Sequence, residues 1–210
     1  LLLSKGSYSM LLKPIATLKS DFPGKFGIPR QRGLVPGLKA TLVFEPGYRS
    51  EDALRGLEGF SHIWLIWGFT GVQKAGWSPT VRPPRLGGNA RAGVFATRSP
   101  NRPNPLGLSA VKLAGIERHP ALGPVIHVLG ADLMDGTPVY DIKPYVPYAD
   151  SHPDALSGFA QAAPEKTLEV VIAEEWLALL PPGEQGTLRD ILAYDPRPAY
   201  KRATSPIYAM

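Results

Sequence analysis

Three short segments concentrate the residues that could bind a ligand or move a proton. The first, Lys25–Gln31, is a cationic turn whose Arg30 and Gln31 side chains can form directed hydrogen bonds. The second, Arg98–Ser109, alternates proline with arginine and asparagine, which stiffens the backbone while it presents polar groups. The third, Asp132–Tyr145, holds three carboxylates, one lysine and two tyrosines. We expect the three segments to contribute to one binding site.

Each segment also has a simpler structural explanation. Asp135 followed by Gly136 is by itself a good hairpin turn. The proline-rich run can be mere scaffolding, and Arg30 can pair with a distant acid. Taken singly, each segment favours the structural explanation, but their combination with a basic surface favours a site.

The distribution of charge is lopsided, although the net formal charge is only +5. No Asp or Glu occurs from Gly59 to Ile116, and a second acid-free stretch runs from Phe22 to Phe44. Such a surface attracts a polyanion and holds its phosphates through salt-sensitive contacts. Basic clusters can also be simple solvated faces, but an acid-free stretch of this length favours nucleic acid. The predicted phosphate contacts are Arg82, Arg85, Arg91 and Arg102.

Several classes of protein are excluded or disfavoured by what the sequence lacks. There is no cysteine, so disulfides, thiolate metal sites and a cysteine nucleophile are ruled out. The four histidines form no i,i+4 pair, and we expect no metal. The glycine patterns of Rossmann and P-loop nucleotide sites are absent, as is a nucleophile elbow. No apolar run approaches the roughly eighteen residues of a membrane span, so we expect no membrane-spanning helix. The lack of cysteine favours a cytoplasmic protein.

The elements that must position these segments are mainly β-strands. Short apolar runs separated by glycine and proline are typical of a β-barrel. One short helix is predicted over Glu51–Leu57, because Ser50 is a good N-cap and acids follow it. The predicted strands are Leu11–Leu18, Leu38–Phe44, Phe60–Phe69, Arg91–Ala96, Ser109–Ile116, Val125–Ala131 and Pro138–Ile142.

The rest of the chain divides into a stiff loop and a small tail. Ser78–Pro105 contains six prolines, which predicts a long but rigid loop on the barrel rim. We expect residues 1–10 to be a leader, with Met10 a candidate initiator, residues 11–163 to form the barrel and residues 164–210 to form a small α/β domain. The elements predicted after Pro153 are helices over Asp154–Ala163, Glu174–Leu180 and Thr187–Tyr194 and a strand over Thr167–Ala173.

Seven motifs follow one another along the chain: Lys25–Gln31, Gly56–Trp64, Trp77–Asn89, Gly93–Pro100, Arg102–Ser109, Asp132–Tyr145 and Tyr148–Asp150. Together these motifs resemble the TrmO (YaeB/TsaA-like) family of tRNA methyltransferases. The resemblance runs in order from about Leu12 to Asp150 and continues at Asp195–Tyr200. It departs at Thr70, where the family often has histidine, and at Asn101, where phenylalanine is usual; longer members also extend further at the C-terminus.

The resemblance implies a homodimeric, non-Rossmann β-barrel that binds S-adenosylmethionine at or near the subunit interface. It also implies methylation of N6 of threonylcarbamoyladenosine, beside the anticodon of threonine tRNA at position 37. The implied cofactor contacts are Pro29, Arg30, Gln31, Thr70, Gly71, Arg98, Leu108, Asp132, Leu133, Met134 and Asp135.

The predicted chemistry suits the residues present. Methyl transfer is an in-line displacement that needs alignment but neither metal nor covalent intermediate. We expect Asp132 and Asp135 to lie near the cationic sulfur or the ribose, and Asp141 or Asp135 to act as base if one is needed. Tyr145 would position the target nucleobase, and Lys143 would bind the threonyl carboxylate. The alternatives are a non-catalytic RNA-binding barrel and a methyltransferase for small molecules.

Overall fold

The computed structural model describes residues 11–24, 27–29, 33–70, 77–87, 89–161 and 164–195. Six antiparallel strands close into a barrel in the order β1-β2-β7-β6-β3-β8, and the intervening β4 and β5 form a separate two-stranded sheet. The predicted β-barrel is therefore confirmed. The strands are β1 (Ala16–Ser20), β2 (Lys39–Phe44), β3 (His62–Gly68), β4 (Thr80–Val81), β5 (Ala92–Gly93), β6 (Leu106–His119), β7 (Gly123–Leu129) and β8 (Thr137–Pro144).

The barrel closes around an apolar interior because apolar residues alternate along its strands. In β3, Ile63 and Leu65 are fully buried, whereas the alternate residues His62, Trp64 and Ile66 face outward. A buried residue from each neighbouring strand meets them inside. The members of this core with the largest buried side chains include Leu18, Leu42, Ile63, Leu65, Val111, Ile126, Val128, Leu133 and Val139.

The order of the strands sends three long connections to the same end of the barrel. Successive barrel strands run in opposite directions, so the connections between them alternate between the two ends. The connections of residues 21–38, 69–105 and 130–136 all leave one end, which we call the site end. They contain most of the first two predicted segments and the start of the third. The other end carries residues 45–61 and the short β6–β7 turn.

Two predictions for these connections are wrong in detail. Glu51–Leu57 is not one α-helix but two short 3-10 turns, Glu51–Leu54 and Leu57–Gly59, and Ser50 makes no side-chain cap. Gly56 has φ of 85°, a conformation that interrupts a helix. Arg91–Ala96 is not a full strand, because only Ala92–Gly93 pairs, with Thr80–Val81, before a 3-10 turn begins.

Asp135-Gly136 is not a hairpin turn either. The strands that it helps to connect, β7 and β8, are not neighbours in the barrel. Residues 130–136 therefore cross the site end, and Leu133 inserts into the core during this crossing. Gly136 adopts φ of 76° as the chain turns into β8.

The tail has less regular structure than expected. After β8, the described residues form the helix α1 (Pro147–Asp150), which precedes the tail, and the helices α2 (Glu174–Leu177) and α3 (Pro182–Ala193) within it. No strand forms over Thr167–Ala173, and the described part of Asp154–Ala163 has only a 3-10 turn at Gly158–Ala160. α3 begins earlier than predicted, because Pro182 suits a first helical turn.

The third helix attaches the tail to the barrel. Ile191 of α3 packs with Phe22, Val35 and Leu38, which belong to or border the β1–β2 connection. A Lys39–Glu184 ion pair of 3.2 Å lies at the same contact. The tail therefore supports one of the three connections at the site end.

Candidate functional site

Backbone hydrogen bonds tie the connections of the site end together. The Gly33 N–H donates to the Gly130 carbonyl over 3.3 Å, joining the first connection to the third. The Asp135 N–H donates to the Phe22 carbonyl over 2.8 Å and makes a second link between them. These two bonds bring the first and third connections together at the site end.

A cavity of about 410 Å³ lies where the three connections meet the outer face of the barrel. Its size lies within the usual range for sites that bind small molecules. Two of its lining side chains, Arg98 and Lys112, are cationic, and none is a carboxylate. The lining residues are Gly33, Pro36, His62, Arg98, Ala110, Lys112, Leu129 and Gly130.

Strand register explains why three of these residues share one surface. Lys112 pairs with His62 on one side and with Leu129 on the other, so the three lie in a row across β3, β6 and β7. Ile63 and Val111, the adjacent pair, point into the core. His62 and Lys112 were not predicted from the sequence as cavity residues. The alternation of apolar and other residues around His62 can be read from the sequence. The register that places Lys112 of β6 beside His62 cannot.

Asp132 is held at the site end by a chain of side-chain hydrogen bonds. The Trp67 indole Nε1 donates to Ser109 Oγ over 3.2 Å, and Ser109 Oγ donates to Asp132 Oδ1 over 3.4 Å. Ser109 is buried, so its hydroxyl needs such partners. This arrangement fixes one carboxylate close to the cavity-lining Gly130, two residues before it.

The other three residues of the Asp132–Asp135 segment differ in what their side chains and backbone contact. The Asp135 carboxylate accepts a hydrogen bond from the Ser20 N–H at 3.2 Å and lies 3.6 Å from Lys19 Nζ. Leu133 is a core residue, so only its backbone could meet a ligand. The Met134 carbonyl accepts a 2.7 Å hydrogen bond from Thr137 Oγ1.

The remaining predicted cofactor contacts also belong to the site end. Pro29 is buried, Thr70 is exposed two residues after β3, and Leu108 is exposed near the start of β6. The Phe69 N–H donates to the Pro105 carbonyl over 2.9 Å, which brings the two ends of their connection together. Arg30, Gln31 and Gly71 lie outside the described residues.

Asp141, Lys143 and Tyr145 follow the outer face of β8 away from the site end. Asp141 forms a 2.9 Å ion pair with Lys143 and pairs in register with Ile66. Tyr145 follows the opposite end of β8, beside His62, which itself lines the cavity. With a rise of about 3.3 Å per residue, the length of β8 separates Asp135 from Tyr145 by about 23 Å. One chain does not bring those two side chains to a single atom.

Asp150 anchors the Tyr145 region. Its Oδ2 accepts hydrogen bonds from the Val146 N–H at 2.8 Å and from Trp64 Nε1 at 3.0 Å. These two bonds, the backbone bond first, lower the pKa of the Asp150 carboxyl below its ordinary value. The Trp64 ring lies 5.5 Å from the Tyr145 ring. Asp150 therefore positions two aromatic side chains on the outer face.

The predicted phosphate contacts have different surroundings. Arg82 is exposed. Arg85 is exposed and donates to the Ala160 carbonyl, and Arg91 is exposed and donates to Thr80 Oγ1. The half-buried Arg102 instead donates to the carbonyls of Val94, Thr97 and Ser99. Arg102 thus holds its own loop together, whatever else it contacts.

No group of three or more potential metal ligands occurs among the residues that the structure describes. Within that same part of the chain, no helix is long and apolar enough to cross a membrane.

A comparison with protein families identifies the relationship. The model for the tRNA-methyltransferase O N-terminal domain matches residues 17–151, which include all of the barrel except Ala16, the first residue of β1. This chain belongs to the TrmO family. The resemblance noted from the sequence is thereby confirmed.

Individual relatives agree with the family match. The tRNA (adenine(37)-N6)-methyltransferase of Escherichia coli (strain K12) is 47% identical over 96% of this chain and 89% of its own length. A Pseudomonas aeruginosa relative, provisionally named an S-adenosylmethionine-dependent methyltransferase, is 44% identical over 91% of this chain and 83% of its own length. A crystal structure of TrmO from Pseudomonas aeruginosa superposes with a TM-score of 0.72, at 37% identity, over 92% of this chain and 84% of that one.

Proposed function

We propose that this TrmO-family chain transfers a methyl group from S-adenosylmethionine to N6 of the adenosine at position 37 of tRNA. The observation that carries the proposal is the cationic cavity at the site end, lined by Arg98 and Lys112 inside the region that matches the family model. The relatives named tRNA (adenine(37)-N6)-methyltransferase supply the reaction.

The site end offers suitable groups for each part of the cofactor. S-adenosylmethionine supplies an electrophilic methyl group when it is bound. Arg98 and Lys112 would bind its carboxylate, because both cations line the cavity. The Asp132 carboxylate and nearby backbone carbonyls would stabilise its positive charge. The predicted contacts Pro29, Thr70, Leu108, Met134 and Asp135 lie around the same end, and Arg30, Gln31 and Gly71 remain part of the proposal.

The outer face of β8 would receive the RNA base. Asp141 is the best placed of the catalytic candidates, because its register partner Ile66 also pairs with Leu108, a predicted cofactor contact. Asp141 would accept the proton that the target nitrogen loses. Lys143, held by Asp141, would meet the carboxylate of a threonylcarbamoyl group, and Tyr145 would orient the base.

We also propose threonine tRNA carrying threonylcarbamoyladenosine as the substrate, a cytoplasmic location and a homodimer. A dimer accounts for the separation of Asp135 from Tyr145, since the two could serve one reaction from different copies. The exposed Leu108 would then have a partner surface. Arg82, Arg85 and Arg91 would contact phosphates of the anticodon arm, with Arg102 keeping their loop in shape.

The test combines cofactor binding with methylation of defined RNA. Calorimetry should detect S-adenosylmethionine, and mass spectrometry of nucleosides should find methyl transfer only to threonine tRNA that carries the threonylcarbamoyl group. Loss of one charge-assisted hydrogen bond costs about 1.5–3 kcal/mol, so Arg98→Ala should weaken cofactor binding by roughly 10- to 150-fold. Arg118→Ala, which removes an exposed arginine at the other barrel end, is the matched control.

Two results would contradict parts of the proposal. RNA binding without any affinity for S-adenosylmethionine would leave a non-catalytic RNA-binding barrel. Asp141→Asn with full turnover would remove Asp141 as proton acceptor while leaving the transfer reaction in place.

A further inference from the structure

Two large aromatic side chains stack on each other at the protein surface, on the same connection as the cavity-lining Arg98. The rings of Trp77 and Phe95 lie 6.4 Å apart with an interplanar angle of 22°. Trp77 is 51% exposed and Phe95 is 76% exposed. Neighbouring exposed rings are unusual on a soluble surface unless a ligand or partner covers them. We call this pair the aromatic platform.

The backbone under the platform is held firmly. The Val94 N–H donates to the Pro79 carbonyl over 2.9 Å, and the Ser78 N–H donates to the Asn101 carbonyl over 3.3 Å. Val94 itself is buried. Phe95 directly follows the anchored Val94, and Trp77 directly precedes the anchored Ser78. The platform is therefore preformed rather than assembled on binding.

The surroundings of the platform are cationic. Five arginines and no acidic residue lie between Trp77 and Arg102. Arg98, three residues after Phe95, lines the cavity. In the contacts described above, Arg91 donates to a hydroxyl and Arg102 to carbonyls, so neither interaction neutralises the guanidinium with a carboxylate.

We propose that the aromatic platform binds an unpaired nucleobase of the RNA loop next to the nucleotide held at the site end. This inference rests on the proposed function, because it takes RNA as the substrate. Every nucleobase has a flat π face that stacks on tryptophan or phenylalanine, and the nearby arginines attract the backbone phosphates. Single-stranded loops are where proteins find such accessible bases.

A second copy of this chain is a less suitable occupant. In a two-fold interface the same patch meets itself, so the four exposed arginines of this segment (Arg82, Arg85, Arg91 and Arg98) would approach their own copies. Like charges in that arrangement oppose association. A polyanion with exposed bases complements both the charge and the rings.

The experiment compares two RNAs and three variants of the full chain. One RNA is the anticodon stem-loop of threonine tRNA, and the other is a fully paired hairpin of equal length and charge. Phe95→Leu removes the ring, Phe95→Tyr keeps it, and Leu156→Ala alters an exposed apolar residue that lies outside the platform. Fluorescence anisotropy measures the affinity at several salt concentrations, and sedimentation gives the oligomeric state.

Phe95→Leu should weaken binding of the stem-loop by about 5- to 100-fold, the range expected for one lost base stack. Its affinity for the paired hairpin and the salt slope should not change, because the phosphate contacts remain. Phe95→Tyr and Leu156→Ala should bind like the parent protein.

Two outcomes would overturn the platform. One is unchanged stem-loop binding by Phe95→Leu, and the other is loss of self-association by Phe95→Leu, which would assign the rings to a second copy. The proposed function is judged separately, by methylation with the parent protein. Active parent protein with a neutral Phe95→Leu substitution would reject the platform alone.

Discussion

Replacing Arg102 separates an arginine that holds a loop from one that contacts phosphate. In the structure its guanidinium donates to the Ser99 carbonyl at 2.9 Å, to the Thr97 carbonyl at 2.5 Å and to the Val94 carbonyl at 3.3 Å. Lysine keeps the charge but lacks the planar fork that reaches several acceptors at once. A phosphate contact would therefore tolerate lysine, whereas a loop support would not.

The size of the effect follows from the acceptors that lose their donor. The Val94 carbonyl also accepts hydrogen bonds from the N–H and Oγ1 of Thr97, so losing its bond from Arg102 destabilises the loop only slightly. The Ser99 and Thr97 carbonyls are the sensitive ones. With each charged hydrogen bond contributing about 1.5–3 kcal/mol, and a lysine recovering one of them, Arg102→Lys should destabilise the loop by about 2–3 kcal/mol. That corresponds to roughly 30- to 150-fold more frequent local opening.

Native-state hydrogen exchange at the Thr97 and Val94 amides measures this opening directly. Both amides donate hydrogen bonds inside the loop, at 3.1 and 2.9 Å. Their exchange should accelerate in Arg102→Lys, while the salt slope of RNA binding stays close to that of the parent protein. Unchanged exchange in Arg102→Lys, combined with a changed salt slope in Arg102→Ala, would refute the loop-support role.

Two further predictions concern stability. A Cβ at Gly107 would lie 2.2 Å from ring atoms of Trp67, so Gly107→Ala should lower the free energy of unfolding by about 1–3 kcal/mol. Urea denaturation measures this change. The control is Gly115→Ala in the same strand, where a Cβ would meet open space. Because the folded-state pKa of Asp150 lies below the ordinary value of 3.8, its stabilisation is present above that pH and disappears as the pH falls through the folded value. Asp150→Asn should therefore be less stable than the parent protein at pH 7 but converge with it under strongly acidic conditions, and a pH-independent difference would contradict this account.

Local patterns predicted the barrel and most of its strands. Alternation is visible in the sequence around Ile63 and Leu65, since each inward residue is followed by an outward one. The predictions failed where a local signal needs a tertiary partner. Thr167–Ala173 alternates like a strand, but no strand forms there; among the described residues, Thr167 and Leu168 instead donate to the Ala193 carbonyl. The Glu51–Leu57 helix failed because Gly56 interrupts it.

The sequence by itself determined which segments are polar, stiff and free of acid, because composition and proline content are properties of the chain alone. The tertiary structure decided which of these segments meet. The strand order sends the connections containing Arg98 and Asp132 to one barrel end, and strand register places His62 beside Lys112. Such pairings depend on how distant strands align, and no short-range pattern encodes that alignment.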